Sequence, residues 1–275
     1  MNFHSDEWII DRVREHYNEA LEHFPEHKVV GIFYQGSGNY GLDYEDSDVD
    51  TKCIVLPNIK QLCNNQLTSV THIRQNDEHI DFKDVRIMFE TFTKQNLNFL
   101  EILYSKYHII NPLYEGIWNE VIAKRDDITN MNRHSLIKSM KGIAGEKYHA
   151  MEHRYPSRIE WLDKYGYDPK QLHHLFRIRE FMQRWINGEH FGDCLISVEP
   201  EWLVDVKKGK YYIDDARRLG KAAMDNIQKM YDDYLKICDY ESNTSIFGFL
   251  DDLSYRMIKT GIEKELEYNE THSET

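Results

Sequence analysis

The sequence predicts an α+β protein in two parts: a mixed β-sheet flanked by helices over residues 1–112, followed by an α-helical part over residues 113–275. Three observations carry this. Short apolar runs rich in β-branched and aromatic residues, bounded by Gly, Pro or Asn, cluster before residue 112 and read as strands. Beyond Asn111-Pro112 the apolar spacing becomes helical for nearly the whole remainder. With 275 residues, 41% of them apolar, the chain can bury one large core or two modest ones.

The elements follow in order. Residues 5–24 carry Ile9, Ile10, Val13, Tyr17, Ala20, Leu21 and Phe24 at helical spacing, with Ser5 or Asp6 placed to cap. Residues 28–35 form a strand that ends at Gly36, and Cys53-Ile54-Val55-Leu56 form another, stopped by Pro57. A short helix is expected at 58–66, strands at 70–74 and 79–82, and a helix at 85–95 with Asp84 at its N-cap position. After a turn at Gln95-Asn96 comes a further helix, capped by Asn96 or Asn98. Tyr107-His108-Ile109-Ile110 reads as a last strand. Helices are then expected at 113–124, 133–153, 156–165, 168–187, 199–206, 214–236 and 246–267, and residues 269–275 as a disordered tail.

Composition narrows the function. A net charge of -13 excludes a general nucleic-acid trap, so any RNA contact needs a local basic patch. Arg133, Lys138, Lys141, Lys147, Arg154, Arg158 and Lys164 could form one, or could be an ordinary solvated face. The cysteines at 53, 63, 194 and 238 show no paired spacing. With no signal-peptide pattern at the start, free thiols in a reducing, cytoplasmic setting are expected. No apolar run approaches ~20 residues, so no membrane span is expected.

The chemistry centres on residues 36–50, Gly-Ser-Gly-Asn-Tyr-Gly-Leu-Asp-Tyr-Glu-Asp-Ser-Asp-Val-Asp. This is a Gly/Ser turn between two strands, with two carboxylates opening the second. Side chains alternate along a strand, so Asp48 and Asp50 share one face and Val49 takes the other. Two neighbouring carboxylates repel, and a divalent cation between them is the simplest reason to keep both. Magnesium prefers oxygen ligands shared with substrate phosphates.

Gly36-Ser37 followed by Asp48-Val49-Asp50 resembles the signature of the DNA polymerase beta-type nucleotidyltransferase superfamily. The longer form, Gly-Ser-x-x-Tyr-Gly-Leu ending in Ser-Asp-x-Asp, looks most like predicted nucleotidyltransferases of bacteria and phages. The resemblance implies transfer of a nucleoside monophosphate from an NTP to an acceptor hydroxyl, with two Mg2+ ions held by three carboxylates and pyrophosphate as the leaving group. It implies that the turn at Gly36 and Ser37 binds nucleotide phosphates, with Gly36 and Gly38 letting the backbone approach them. Tyr40 and Leu42 are expected to pack the loop down. The third carboxylate should come from the strand at 79–82. Asp81 is chosen because alternation turns it away from Ile80 and Phe82; Asp84 is the rival, in a capping position. The implied acceptor is an RNA 3′ end, including tRNA, or a protein hydroxyl, as in antitoxin-like AMP transfer. A nucleotide-binding regulator without turnover is the alternative from another class.

Two further stretches extend the resemblance. Lys94-Gln95-Asn96 before Leu-Glu-x-Leu matches the same family and would put Lys94 or Asn96 near the nucleotide; helix capping is the simpler reading. In Tyr165-Gly-Tyr-Asp-Pro-Lys-Gln-Leu-His-His-Leu-Phe-Arg177, Asp168 caps and Pro169 takes the first helical position. Lys170, His173 or His174, and Arg177 then share one helical face suited to a triphosphate, or to pairing with nearby acids such as Glu180. His149-Ala-Met-Glu-His153 fits an inverted zinc-peptidase motif, which chance supplies easily in a chain with 14 histidines.

Overall fold

The structure is a computed structural model that describes residues 3–238 and 242–272. The chain forms two compact units. One takes residues 3–39, 45–131 and 242–272; the other takes residues 40–44 and 132–238.

The first unit is built on a five-stranded mixed sheet. Its strands are β1 (Val29–Tyr34), β2 (Thr51–Val55), β3 (Ser69–Ile73), β4 (His79–Asp84) and β5 (His108–Ile110). Their order is β3-β4-β2-β1-β5. β1 pairs antiparallel with β2 and β5, β3 antiparallel with β4, and β2 runs parallel to β4. Helix α1 (Asp6–His23) is capped by Ser5, whose hydroxyl accepts from the Trp8 N–H at 3.1 Å. It buries Ile9, Val13 and Ala20 against Ile32, Tyr34, Val49, Cys53, Val55, Ile80 and Phe82. Those sheet residues alternate with Phe33, Lys52, Asp81 and Lys83, so the sheet has one face under α1 and one away from it.

The second sheet face meets α3 (Val85–Thr93), α4 (Leu97–Leu100) and α5 (Glu115–Ala123); α2 (Ile59–Cys63) follows β2, and α6 (Arg125–Asn130) follows α5. The Trp118 ring packs against Phe33 with centroids 4.7 Å apart and planes tilted by 46°, and Lys52 Nζ lies 4.1 Å from the Phe99 ring centre.

The other unit holds α7 (Arg133–Ala150), α8 (Ile159–Tyr165), α9 (Pro169–Ile186), α10 (Phe191–Leu195), α11 (Pro200–Lys207) and α12 (Ile213–Leu235). Helix α9 is its centre, burying Leu172, Leu175, Phe176, Phe181, Met182 and Trp185. Gly166 closes α8 at φ 79°, a conformation in which glycine lacks the usual Cβ strain. Helix α13 (Thr244–His272) belongs to the sheet unit.

The observed division differs from a single cut at 112. Helices α5 and α6 stay with the sheet, and α13 returns to it. On α13, Ile246, Leu250, Leu253 and Met257 are buried at helical spacing, Arg256 pairs with Glu120 on α5, and Lys28 Nζ bonds Glu265 at 2.5 Å. Periodicity identifies such a helix but not the surface it covers. Residues 269–272, expected to belong to a disordered tail, continue α13 as far as His272, and the rest of that stretch, 273–275, lies outside the described residues. No helix among the described residues is long and apolar enough to cross a membrane, and the four cysteines are unpaired.

Candidate active site

Tyr34, the last residue of β1, organises the Gly/Ser turn from beneath. Its ring is 1% exposed, and its hydroxyl accepts the Gly38 N–H at 3.1 Å. A Cβ on Gly36 would come within 2.1 Å of that ring, and one on Gly38 within 2.9 Å of Ile9 and 3.1 Å of Tyr34. The two glycines therefore make room for a protein side chain. The close approach expected of a ligand is made here by Tyr34, and the Gly38 N–H is already engaged by it. Residues Ser37–Tyr40 form a short 3-10 turn, and the Ser37 hydroxyl donates to Ser47 Oγ at 3.1 Å. Asn39 ties the turn to the sheet, donating to the Tyr34 carbonyl at 2.7 Å and accepting from the Lys106 N–H at 3.1 Å. Tyr40 and Leu42 are buried.

The aspartates precede β2 rather than opening it, since the strand begins at Thr51. Pairing nevertheless extends one residue further, through a bond from the Gln35 N–H to the Asp50 carbonyl at 2.8 Å. Val49 is 1% exposed and part of the core under α1, whereas Asp48 is exposed and Asp50 half-buried. The alternation therefore turns both carboxylates to one side. Burial, and then the charge of Asp48, raise the Asp50 pKa above the ordinary carboxylate range, against the opposing pull of His79. The His79 N–H donates to Asp50 Oδ1 at 3.0 Å, and its ring Nδ1 lies 3.0 Å from the same oxygen.

Asp81 lies on the same sheet face, one step along. In the parallel β2–β4 register it stands opposite Lys52, while His79 is the residue beside Asp50. Its carboxylate takes Lys83 Nζ at 2.9 Å, Lys52 Nζ at 3.7 Å and the Thr71 hydroxyl at 3.1 Å. The structure thus brings Asp48 and Asp50 together and leaves Asp81 in ion pairs of the sheet. Asp84 is fully buried on the opposite side, where it caps α3 and grips Arg86. Lys94 pairs with Glu90, and Asn96 stands at the N-cap of α4 without a capping bond from its side chain.

One residue between β3 and β4, which the sequence analysis assigns to no element, is central. Glu78 precedes β4 with a side chain only 6% exposed. Its Oε2 takes Arg12, His16 Nε2 at 2.9 Å and Arg74 at 2.9 Å. Its Oε1 accepts the backbone N–H of Val49 at 3.2 Å, between the two aspartates. Burial alone would raise the Glu78 pKa; bonds from His16, Asn76 and Arg12 outweigh it and hold it at about 2. His16, fully buried, also reaches the Thr51 hydroxyl at 2.9 Å. The available signal was the polar His16 between Val13 and Ala20 on the apolar stripe of α1. Lys52 was legible too, as the next residue in the alternation of Asp48 and Asp50.

In the helical unit, Asp168 caps α9 and is clasped by Arg158 through two bonds of 2.7 Å. His173 is core: it is 2% exposed, contacts the Leu203 carbonyl at 2.8 Å, and burial lowers its pKa to about 3. Burial also pushes the His174 pKa well below its ordinary value. The Arg177 guanidinium lies 3.7 Å from the Tyr40 ring centre, and Lys170 follows Asp168 at the first turn of α9. Three of the basic residues have partners in their own unit: Arg133 reaches Tyr234 and Trp185, Lys141 lies over Tyr231, and Arg154 pairs with Asp163. In the zinc-peptidase look-alike, Glu152 is bound to Arg217.

No protein-family model matches the chain, and no curated protein does. A search of solved structures finds a likeness to the crystal structure of a nucleotidyltransferase-like protein from Exiguobacterium sibiricum. The two are 11% identical, with a TM-score of 0.29, over 81% of this chain and 74% of that one.

Proposed function

We propose that the sheet unit carries a magnesium-dependent nucleotidyltransferase site, which moves a nucleoside monophosphate from an NTP to an acceptor hydroxyl. One observation supports it above the others. Asp48 and Asp50 face the same way beside the Ser37 turn, accessible to solvent, with Val49 anchored in the core between them. Their donor set fits Mg2+: two carboxylates from successive same-side positions, with the repulsion between them only partly offset by His79. A bound divalent ion would supply charge neutralisation at the phosphates and polarise the phosphoryl oxygen.

The protein's own contribution is positioning. Glu78 fixes the Val49 backbone, and through it the direction of both aspartates. Tyr34 fixes the turn that presents the Ser37 hydroxyl as a donor to phosphate oxygens. Asp81 serves as the third carboxylate in this reading by exchanging Lys52 and Lys83 for the ion, and Asp81→Asn tests that exchange. A loss of ~100-fold or more keeps it as a metal ligand, and a change within about threefold leaves it as a charge pair of the sheet.

A second reading, a nucleotide-binding regulator without turnover, is favoured by the separation of Asp81 from the Asp48–Asp50 pair. Each labelled NTP, incubated with Mg2+ and either total RNA or cell protein, distinguishes the outcomes. The enzyme reading expects label in an acceptor, with pyrophosphate released, and its loss in Asp48→Asn. Binding without pyrophosphate release would leave the regulator.

A further inference from the structure

Among the described residues, one group of three side chains gathers potential ligand atoms closely enough for a single ion, and it is not the aspartate pair. It consists of Glu19, His23 and His72, whose ligand atoms all lie within 4.8 Å of one another. Glu19 and His23 are four residues apart on α1 and so share one face. His72 comes from the edge strand β3. Its register partner is Ile80, a core residue, so His72 points to the α1 side of the sheet.

The carboxylate is already oriented. Glu19 Oε2 accepts from Arg74 Nε at 2.6 Å, while Oε1 lies 2.7 Å from His72 Nε2. Arg74 is also held by Glu78 at 2.9 Å and Glu15 at 3.7 Å, so its charge is met by other carboxylates and does not bar a cation from Oε1, the Glu19 oxygen turned to His72. The imidazoles of His23 and His72 have centroids 4.6 Å apart at 56°, and His23 is braced edge-on against Phe82 at 5.7 Å. His23 is exposed and Glu19 and His72 are partly exposed, which gives an ion access.

We propose that Glu19, His23 and His72 form a binding site for a borderline divalent ion, Zn2+ being the best match. Two imidazoles and one carboxylate are a zinc donor set; three protein ligands leave a fourth position for water. The ion would replace the Glu19–His72 hydrogen bond and tie α1 to the edge strand. Arg74 would act as the outer partner that holds the carboxylate in place. This site is separate from the proposed Mg2+ site and does not depend on it.

The test uses the untagged full chain, stripped with a chelator and titrated with Zn2+ against a chromophoric competitor. Co2+ serves as a spectroscopic probe of tetrahedral coordination. One tightly bound Zn2+ per chain is expected, with a rise in unfolding midpoint of roughly 5 °C at about 100 times the dissociation constant. His23→Ala and His72→Ala should each weaken binding at least ~10-fold and lose the Co2+ spectrum. His23 is exposed and His72 partly exposed, and Glu19→Gln, which keeps a side-chain acceptor for Arg74, gives a third variant less prone to misfold and should weaken binding likewise. Asp48→Asn with Asp50→Asn should leave Zn2+ binding unchanged. The proposal fails if no stoichiometric ion binds, if the histidine variants bind as well as the parent, or if binding is lost with the aspartates instead.

Discussion

Replacing Glu78 with Gln removes one negative charge from beneath the aspartate pair while keeping an acceptor for the Val49 N–H. The carboxyl falls from its ordinary 4.5 to about 2 in the folded protein. At ~1.4 kcal/mol per unit, that shift corresponds to roughly 3 kcal/mol of stability at neutral pH. The sign follows from the depressed pKa. The contribution is fully present above about pH 4.5 and is lost as the pH falls towards about 2. Glu78→Gln should therefore be ~3 kcal/mol less stable than the parent at pH 7, and the gap should narrow steadily below pH 4.5. Urea unfolding at several pH values between 7 and about 3 reads this directly. Activity adds a second arm: Gln still accepts from Val49, whereas Glu78→Ala frees the peptide between the aspartates and should lose far more transfer activity than its stability loss accounts for. Equal stability of parent and Glu78→Gln at pH 7, or a gap that does not close in acid, would refute the reasoning.

Three other perturbations follow from the same geometry. Asp50 has a raised pKa, so its ionised form opposes folding, increasingly as the pH rises through that value; Asp50→Asn should have a higher urea midpoint than the parent at pH 7, and Mg2+ should raise the parent's midpoint but not the variant's. Gly36→Ala drives a methyl group into the buried Tyr34 ring and should cost ~1–3 kcal/mol; adding Tyr34→Ala should cost less than the sum of the two single changes, as a double-mutant cycle would show. Arg158→Met strands the fully buried Asp168 without its two-bond partner and should cost ~3–5 kcal/mol by thermal or urea unfolding, whereas Arg154→Met, at an exposed pair, should cost under ~1 kcal/mol.

What the sequence disclosed was mostly local. All five strands fall where short apolar runs predicted them, and Ser5, Asp84 and Asp168 cap the helices they precede. Each of these signals is written within a few residues. The Asp48–Val49–Asp50 alternation was readable for the same reason, because the pairing of β1 with β2 carries on past Thr51 to Asp50. What was not readable depends on partners far along the chain. Tyr34 claims the space at Gly36 from two residues away, but only because α1 closes over the ring. Glu78 lies in a turn by every local criterion, yet it is buried by Arg12 and His16, more than 60 residues earlier. The short helices α6 and α10, of six and five residues, are too brief to show a period.

The placement of stabilising contacts around residues 48–50 argues against a merely structural turn. The backbone there is well supported: Val49 N–H is held by Glu78, the Asp50 carbonyl by Gln35, and the Val49 side chain by the core. The side chains are treated differently. Asp48 adds to the cost of ionising Asp50, and a third anion, Glu78, lies directly behind the peptide that joins them. A turn selected for stability alone would relieve that crowding with a single amide in place of either acid. Here the rigid frame holds two carboxylates in an arrangement that opposes folding on its own terms, and the arrangement becomes favourable when a cation stands in front of them. Mg2+ therefore offers the sharpest separation of the alternatives: a metal-binding pair gains stability with Mg2+ concentration, and a structural turn does not.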